Sequence, residues 1–173
     1  HLSDRRQRQM CIRDRAVSMA KIYDTKVALS LSDAFIVSSF RNELKELIEI
    51  KCDLIFCNET EAVEFCGTES EDEIFNYFKK YTPSVLITKG SDGCIGFEED
   101  HHFSVSGIEV QAIDTNGAGD MFAGAVLHDL NNSKDLENSA KFGCFAASKT
   151  VQSSGPRLSK EEYKKIKKTF SSY

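Results

Sequence analysis

Short apolar runs alternate with helix-like segments along the first half of the chain. Three of these runs are rich in branched residues and short enough to be buried strands; they cover residues 26–31, 53–57 and 84–88. The segments between them place apolar residues at helical spacing, over residues 42–50, 60–65 and 70–78. This alternation predicts an α/β fold with a mainly parallel sheet and helices on both faces.

The pattern changes after the third predicted strand. Turn-forming residues at 91–93 and 99–101 separate apolar stretches, and another short apolar stretch follows at 109–113. This spacing predicts antiparallel hairpins at one edge of the sheet, ending in a strand over residues 109–113. Helices are predicted over residues 120–130 and 134–151 and after Ser159.

The first fifteen residues do not share this periodicity. Residues 10–15, which read MCIRDR, resemble the translation of a transposase adaptor used in sequencing libraries. We expect residues 1–15 to be a non-native, adaptor-derived segment or a disordered basic arm. The fold is therefore predicted from residue 16 onward.

The composition narrows the functional classes. The formal net charge is −5 and no basic patch stands out, which argues against a nucleic-acid partner. No apolar run approaches the roughly 20 residues that cross a bilayer, so no membrane association is expected. The 6 cysteines show neither a CxxC pair nor a metal-ligand spacing. We interpret them as reduced thiols of a cytoplasmic protein.

The stretch with the clearest chemistry is DTNGAGD, residues 114–120, which leads into the helix predicted from Asp120. Small residues before a helix leave backbone N–H groups uncovered, and the helix dipole adds positive potential there. This arrangement favours a bound anion such as a phosphate. Asp120 would lie in the first helical turn, within reach of that anion.

Two common phosphate motifs fail on this stretch. Gly119 and Gly124 have the GxxxxG spacing of a Walker loop, but Ala125 and Val126 stand where Lys and Ser or Thr are required. A dinucleotide fingerprint beginning at residue 117 requires a third glycine at residue 122, where the chain has Phe122. The stretch therefore belongs to another class of phosphate site.

Two further motifs follow predicted strands: Asn58-x-x-Glu61 and Thr88-x-Gly90. In order and spacing, these motifs and residues 114–120 resemble those of the ribokinase-like (PfkB) family of sugar and nucleoside kinases. The resemblance extends over residues 26–168, and residues 26–33 and 151–158 are similar to its bacterial adenosine kinase branch. It implies the C-terminal part of a three-layer ribokinase-like fold, with the three motif loops converging beyond the strand ends.

The resemblance implies roles for particular residues. Asp120 would be the catalytic base. The N–H groups of Gly117, Ala118 and Gly119 would form an anion hole for the transferring phosphoryl group. The other implied ligands are Asn58, Thr88, Gly90, Gly93 and Cys144 for ATP, Glu61 through water for Mg²⁺, and Asp114 and Asn116 for a monovalent cation such as K⁺. At the position of Cys144, relatives often have His or Asn beside the adenine.

The expected function is ATP-dependent phosphorylation of a primary hydroxyl of a nucleoside, with adenosine preferred, and a ribokinase-like sugar kinase is the alternative. The family's acceptor-binding N-terminal part and lid are not recognised in this sequence. Residues 16–173 are therefore expected to be the C-terminal nucleotide-binding part of such a kinase, and a truncated, non-catalytic nucleotide-binding fragment is a second alternative. Asn58 and Glu61 also fit a simple helix cap, and residues 91–93 fit an ordinary hairpin turn.

Overall fold

The computed structural model describes residues 2–132 and 134–170; for residues 2–11 and Lys167 it describes the backbone only. The elements follow in the order α1 (Leu2–Ile22), β1 (Ala28–Ser30), α2 (Ala34–Ile50), β2 (Leu54–Asn58), α3 (Glu59–Cys66), α4 (Glu71–Phe78), β3 (Ser84–Thr88), β4 (Gly93–Glu98), β5 (His101–Ser106), α5 (Ala118–Leu130), α6 (Leu136–Thr150) and α7 (Lys160–Phe170).

The strands form a single mixed sheet in the order β1-β2-β3-β4-β5. β1 and β2 are parallel, with Ala28 opposite Leu54 and Ser30 opposite Phe56. The connections from β3 to β4 and from β4 to β5 are too short for a parallel crossover, which needs a dozen or more residues, so these pairs are antiparallel. The predicted α/β class and the predicted hairpins are therefore confirmed.

The chain divides into two compact units, which we describe separately. The first contains the residues up to Ile87 together with Phe97–His101, and the second contains Thr88–Gly96 and the residues from His102 onward. In the core of the first unit, the Phe65 ring stacks on the Phe78 ring with 5.7 Å between centroids. Both side chains are fully buried, so α3 and α4 are joined through an aromatic contact.

Helix α2 begins eight residues before the predicted start. Its N-cap is Asp33, whose carboxylate accepts the N–H of Phe35 at 2.7 Å. At Phe40 the backbone leaves the helical region, with φ −135° and ψ 30°. Val37, before the kink, is buried seven residues ahead of Leu44 and so shares the helical spacing of the later turns, and the prediction of a helix from residue 42 missed this earlier part.

Helix α1 begins at Leu2 and therefore includes most of residues 1–15. The origin of that segment stays a prediction. Among residues 2–132 and 134–170, no helix is both long and apolar enough to span a bilayer.

In the second unit, α5 and α6 pack closely at Gly143. A Cβ at this position would lie 2.7 Å from the Phe122 ring and 2.8 Å from a Val126 methyl group. Next to this contact is a buried cluster to which α7 contributes Ile166; its other members are Ala125, Phe142, Phe145, Ala146 and Leu158. This packing fixes the separation of α5 and α6. The N-terminus of α5 is therefore held in place by a buried core.

The strand predicted over residues 109–113 was wrong. The segment between β5 and α5 has no regular secondary structure. The N–H groups of Ile113 and Asp114 both donate to the carbonyl of Val151, at 2.7 and 3.2 Å, instead of to a neighbouring strand. Apolar spacing alone cannot supply the pairing partner that a strand requires.

Candidate functional site

The N-terminus of α5 is built on Gly117, which is its N-cap residue. Gly117 has a φ of +78°, in the left-handed region that favours glycine. A Cβ there would overlap the carbonyl oxygen of Pro156 and lie 2.9 Å from its Cα. The helix start is therefore pressed against the loop that follows α6, and only glycine fits between them.

The predicted anion-hole residues form the first turn of this helix. The N–H of Ala118 donates to the carbonyl of Thr115 at 3.3 Å, and the N–H of Met121 begins the helical ladder by donating to Gly117 at 2.9 Å. Asp120 is exposed in the first turn. Two of the predicted donors, those of Gly117 and Gly119, lie at positions where a helix offers N–H groups to a ligand. The third, Ala118, is engaged in a long bond within the loop.

Asp114 connects this loop to the loop after α6. Its Oδ1 accepts the N–H of Asn116 at 3.0 Å, and its Oδ2 accepts the N–H of Gly155 at 3.0 Å. These backbone N–H groups lower the pKa of Asp114. The sequence predicted Asp114 as a cation ligand and did not predict this clamp. An Asp two residues before a turn amide was the only local signal for it.

A cavity of about 460 Å³ in the second unit brings most of the predicted nucleotide residues together. Its lining includes Thr88, Gly90, Gly93, Ala118, Gly119 and Cys144. These residues come from the end of β3, the turn into β4, the start of α5 and α6. Ile108 and Val110, in the segment after β5, also line this cavity, although no sequence motif marks them.

The other two predicted residues of the first α5 turn line a different cavity. Gly117 and Asp120 border a groove of about 730 Å³, together with residues of α6 and α7 and of the loop between them. The N-terminus of α5 therefore stands between two cavities. One contains the predicted nucleotide residues, and the predicted catalytic base faces the other.

Asn58 and Glu61 belong to the first unit and form a complete capping box at the start of α3. The Asn58 side chain accepts the N–H of Glu61 at 2.8 Å, and a Glu61 oxygen accepts the N–H of Asn58 at 3.1 Å. The second Glu61 oxygen accepts the Asn58 side-chain amide at 2.8 Å. Glu61 is only 6% exposed, and burial raises the pKa of its carboxyl group. The helix-cap interpretation of this motif is thus confirmed, while its role toward Mg²⁺ stays a prediction.

The model of the pfkB family of carbohydrate kinases matches residues 14–162. The chain belongs to this family.

Relatives of this pfkB-family chain include both sugar and nucleoside kinases. Ribokinase of Staphylococcus aureus (strain COL) is 34% identical over 151 residues, which cover 83% of this chain and 47% of that protein. Adenosine kinase 1 of Arabidopsis thaliana is 29% identical over 163 residues, which cover 83% and 45%. The crystal structure of adenosine kinase from Sinorhizobium meliloti matches with a TM-score of 0.85 at 26% identity, over 91% of this chain and 49% of that one.

Two conclusions follow for the pfkB-family chain. The resemblance predicted from its three motifs is confirmed at the level of the family and of the ribokinase-like fold. The chain spans about half the length of the relatives that it matches.

Proposed function

We propose that this chain supplies the ATP-binding and phosphoryl-transfer part of a kinase that phosphorylates a primary hydroxyl of a nucleoside or sugar. The observation that carries the proposal is the cavity at the start of α5. Residues from separate motifs, Thr88 and Gly90 in one and Gly119 in the other, line the same 460 Å³ space. In open α/β sheets, ligands bind in such spaces beyond the carboxyl ends of the strands.

The nucleotide would lie in this cavity with its phosphates toward α5. Thr88, Gly90 and Gly93 would line the nucleotide, because glycine allows the backbone to approach it closely. Cys144 would border the base. The N–H groups of Gly117 and Gly119 would donate hydrogen bonds to the oxygens of the transferring phosphoryl group. The N–H of Ala118 would join them if its 3.3 Å bond to the Thr115 carbonyl breaks. One such donor contributes roughly 2.7–4 kcal/mol to transition-state stabilisation.

Asp120 would take the proton from the acceptor hydroxyl while that oxygen attacks the γ-phosphorus and ADP departs. Its position supports this role, because Asp120 borders the second cavity while Gly119, one residue away, borders the first. An acceptor on the Asp120 side and a donor on the Gly119 side would meet at the first turn of α5.

Mg²⁺ bound to the phosphates would neutralise charge on their oxygens. Glu61 would act toward it through water, because both Glu61 oxygens already accept hydrogen bonds from Asn58. A carboxylate oxygen has a second lone pair for a water molecule, and Mg²⁺ normally keeps several waters. Asn58 would contact the triphosphate. Asp114 and Asn116 would contribute oxygens to a K⁺ site, in which Asp114 also keeps its two backbone hydrogen bonds.

We propose adenosine as the preferred acceptor, because residues 26–33 and 151–158 resemble the adenosine kinase branch, and ribose as the alternative, since both kinds of kinase occur among the relatives. Residues 16–173 would then be the C-terminal nucleotide-binding part of the kinase. A chain that binds ATP without transferring its phosphate would be the non-catalytic fragment instead. Calorimetry with Mg-ATP, followed by transfer assays with adenosine and with ribose, separates these possibilities. Both the chain and any longer protein that contains it should be measured.

The decisive variant is Asp120→Asn in whichever form transfers phosphate. We expect its kcat to fall by roughly 10²–10⁴-fold, because proton transfer to a positioned base is lost. The dissociation constant for Mg-ATP should stay close to that of the parent. Asp72→Asn is the matched control, since Asp72 is also an exposed acid in the first turn of a helix. A kcat of Asp120→Asn equal to that of this control would remove Asp120 from the mechanism.

A further inference from the structure

Two cysteines face each other beside the candidate nucleotide cavity. The sulfurs of Cys94, on β4, and Cys144, on α6, lie 3.8 Å apart, although the residues are separated by 50 positions in sequence. Both are free thiols in the second unit. The phosphoryl-transfer mechanism gives Cys94 no role, and it uses Cys144 only as a wall beside the base.

The two thiols differ in access. Cys94 is 1% exposed, whereas Cys144 is 9% exposed and lines the cavity. A small reagent that enters the cavity therefore meets Cys144 first, with Cys94 directly behind it. This is the arrangement of a reactive thiol with a resolving partner.

The electrostatics of the pair agree with this geometry. The hydrogen bond between the sulfurs lowers the pKa of Cys144 and raises the pKa of Cys94. At the other cysteines whose side chains the structure describes, burial raises the pKa: to about 11 for Cys52, to about 12 for Cys66, and well above the usual value for Cys57. Because the thiolate is the nucleophile, Cys144 is the favoured thiol among these five.

We propose that Cys144 and Cys94 form a peroxide-sensitive dithiol, with Cys144 as the site of modification and the bound nucleotide as its shield. The shielding part rests on the proposed function, because it requires ATP to occupy this cavity. The dithiol itself rests only on the distance between the sulfurs and on the exposure of Cys144.

The reaction proceeds in two balanced steps with hydrogen peroxide as the oxidant. The Cys144 thiolate attacks one peroxide oxygen; the S–O bond forms, the O–O bond breaks, and hydroxide leaves and takes up a proton to become water. The Cys94 sulfur then attacks the sulfenic sulfur; the S–S bond forms, the S–O bond breaks, and the Cys94 proton leaves with the oxygen as a second water. The sulfurs close from 3.8 Å to about 2.05 Å.

The test treats the purified chain with hydrogen peroxide and maps its peptides by mass spectrometry. We expect a reducible Cys94–Cys144 link within one chain, with the loss of two hydrogens. Cys94→Ser should stop at a sulfenic acid on Cys144 that a dimedone probe labels, and Cys144→Ser should form neither product. Cys66→Ser is the control, since Cys66 lies in the other unit, and it should form the link as the parent does. Circular dichroism checks that each variant is folded.

The same reaction is then run with Mg-ATP at ten times its dissociation constant. Oxidation of Cys144 should slow by about tenfold, since only the unbound fraction reacts. Absence of the link in the folded parent would overturn the proposal, and so would an unchanged rate when calorimetry shows ATP bound. A link that forms in a chain with no ATP binding would support the dithiol and contradict the proposed function instead.

Discussion

At the scale of single residues, two independent physical reasons require glycine at position 117. Its φ of +78° strains any residue with a Cβ, and that Cβ would also overlap Pro156. Gly155 has a φ of +90°, but no atom lies within 4 Å of its Cβ position. Glycine is therefore required there for the backbone conformation alone. Substituting each of these two glycines therefore distinguishes the cost of backbone strain from the cost of steric overlap.

We expect Gly155→Ala to lower the free energy of unfolding by roughly 1–2 kcal/mol, the cost of a left-handed conformation. Gly117→Ala should cost this amount plus about 1–3 kcal/mol, because the loop at Pro156 must move. Urea unfolding of both variants measures the difference. Equal losses of unfolding free energy in the two variants would mean that the loop after α6 moves without cost, and would contradict the close packing at Gly117.

The glycines before α5 could be recognised from sequence as residues that leave backbone N–H groups uncovered, but their neighbours could not be predicted. The partner of Gly117 is Pro156, and the partner of the Asp114 carboxylate is Gly155, 41 residues away. Such contacts depend on how α6 returns the chain to the start of α5. Local turn chemistry does not contain that information, and for this reason the clamp formed by Asp114 was missed.

At the scale of elements, the contact between α5 and α6 depends on the absence of a side chain at Gly143. A Cβ at this position would lie 2.7 Å from the Phe122 ring, closer than carbon atoms pack. Gly124, on α5, is also a helical glycine, but no atom lies within 4 Å of its Cβ position. The same substitution at the two positions should therefore have opposite effects.

Gly124→Ala should raise the free energy of unfolding by about 0.5–1 kcal/mol, because alanine is the better helix former. Gly143→Ala gains the same preference but overfills the contact, at a cost of about 1–3 kcal/mol, and the net change should be destabilising. Thermal and urea unfolding of the two variants test this. A stabilised Gly143→Ala would show that α5 and α6 separate without cost.

Elements with strong local signals were predicted closely, and elements that depend on distant contacts were not. β3 has the bounds expected from its apolar run, and the helix predicted after Ser159 begins with a capping box between Ser159 and Glu162. At the start of α4 the Ser70 side chain makes no cap hydrogen bond, and the Thr68 hydroxyl donates to the Glu73 carboxylate instead. The strand expected at 109–113 is wrong, because the N–H groups of Ile113 and Asp114 donate to the carbonyl of Val151, in the turn after α6, instead of to a strand.

At the scale of the whole molecule, the meeting of the loop after β3 with the start of α5 at one cavity could be predicted from the order of the motifs. The predicted convergence of the Asn58–Glu61 loop with them stays a prediction. The division of the α5 start between two cavities could not be predicted, because it depends on the packing of α7 and of the loop at Pro156. The sequence assigned residues 117–120 to one site. The structure gives that stretch two faces, and the proposed mechanism uses one face for the donor and the other for the acceptor.

The pH dependence of stability combines carboxyl groups with opposite shifts. Asp135 is the N-cap of α6, and the N–H of Asn138 lowers the pKa of its carboxyl group. Its contribution is therefore present above the unfolded-state pKa of about 3.9 and is lost as the pH falls through the folded value. Burial raises the pKa of Glu61. Its contribution is present below about pH 4.3 and is lost as the pH rises through the folded value.

We expect Asp135→Asn to keep the cap, because asparagine also accepts the Asn138 N–H, and to reduce the loss of stability below about pH 4. Glu61→Gln should instead reduce the loss of stability as the pH rises above about 4.3, since glutamine can still accept the N–H of Asn58. Free energies of unfolding in urea, measured from pH 2 to pH 8, test both variants, and each serves as the control for the other. If both variants changed the profile on the same side, the burial of Glu61 would not explain its titration.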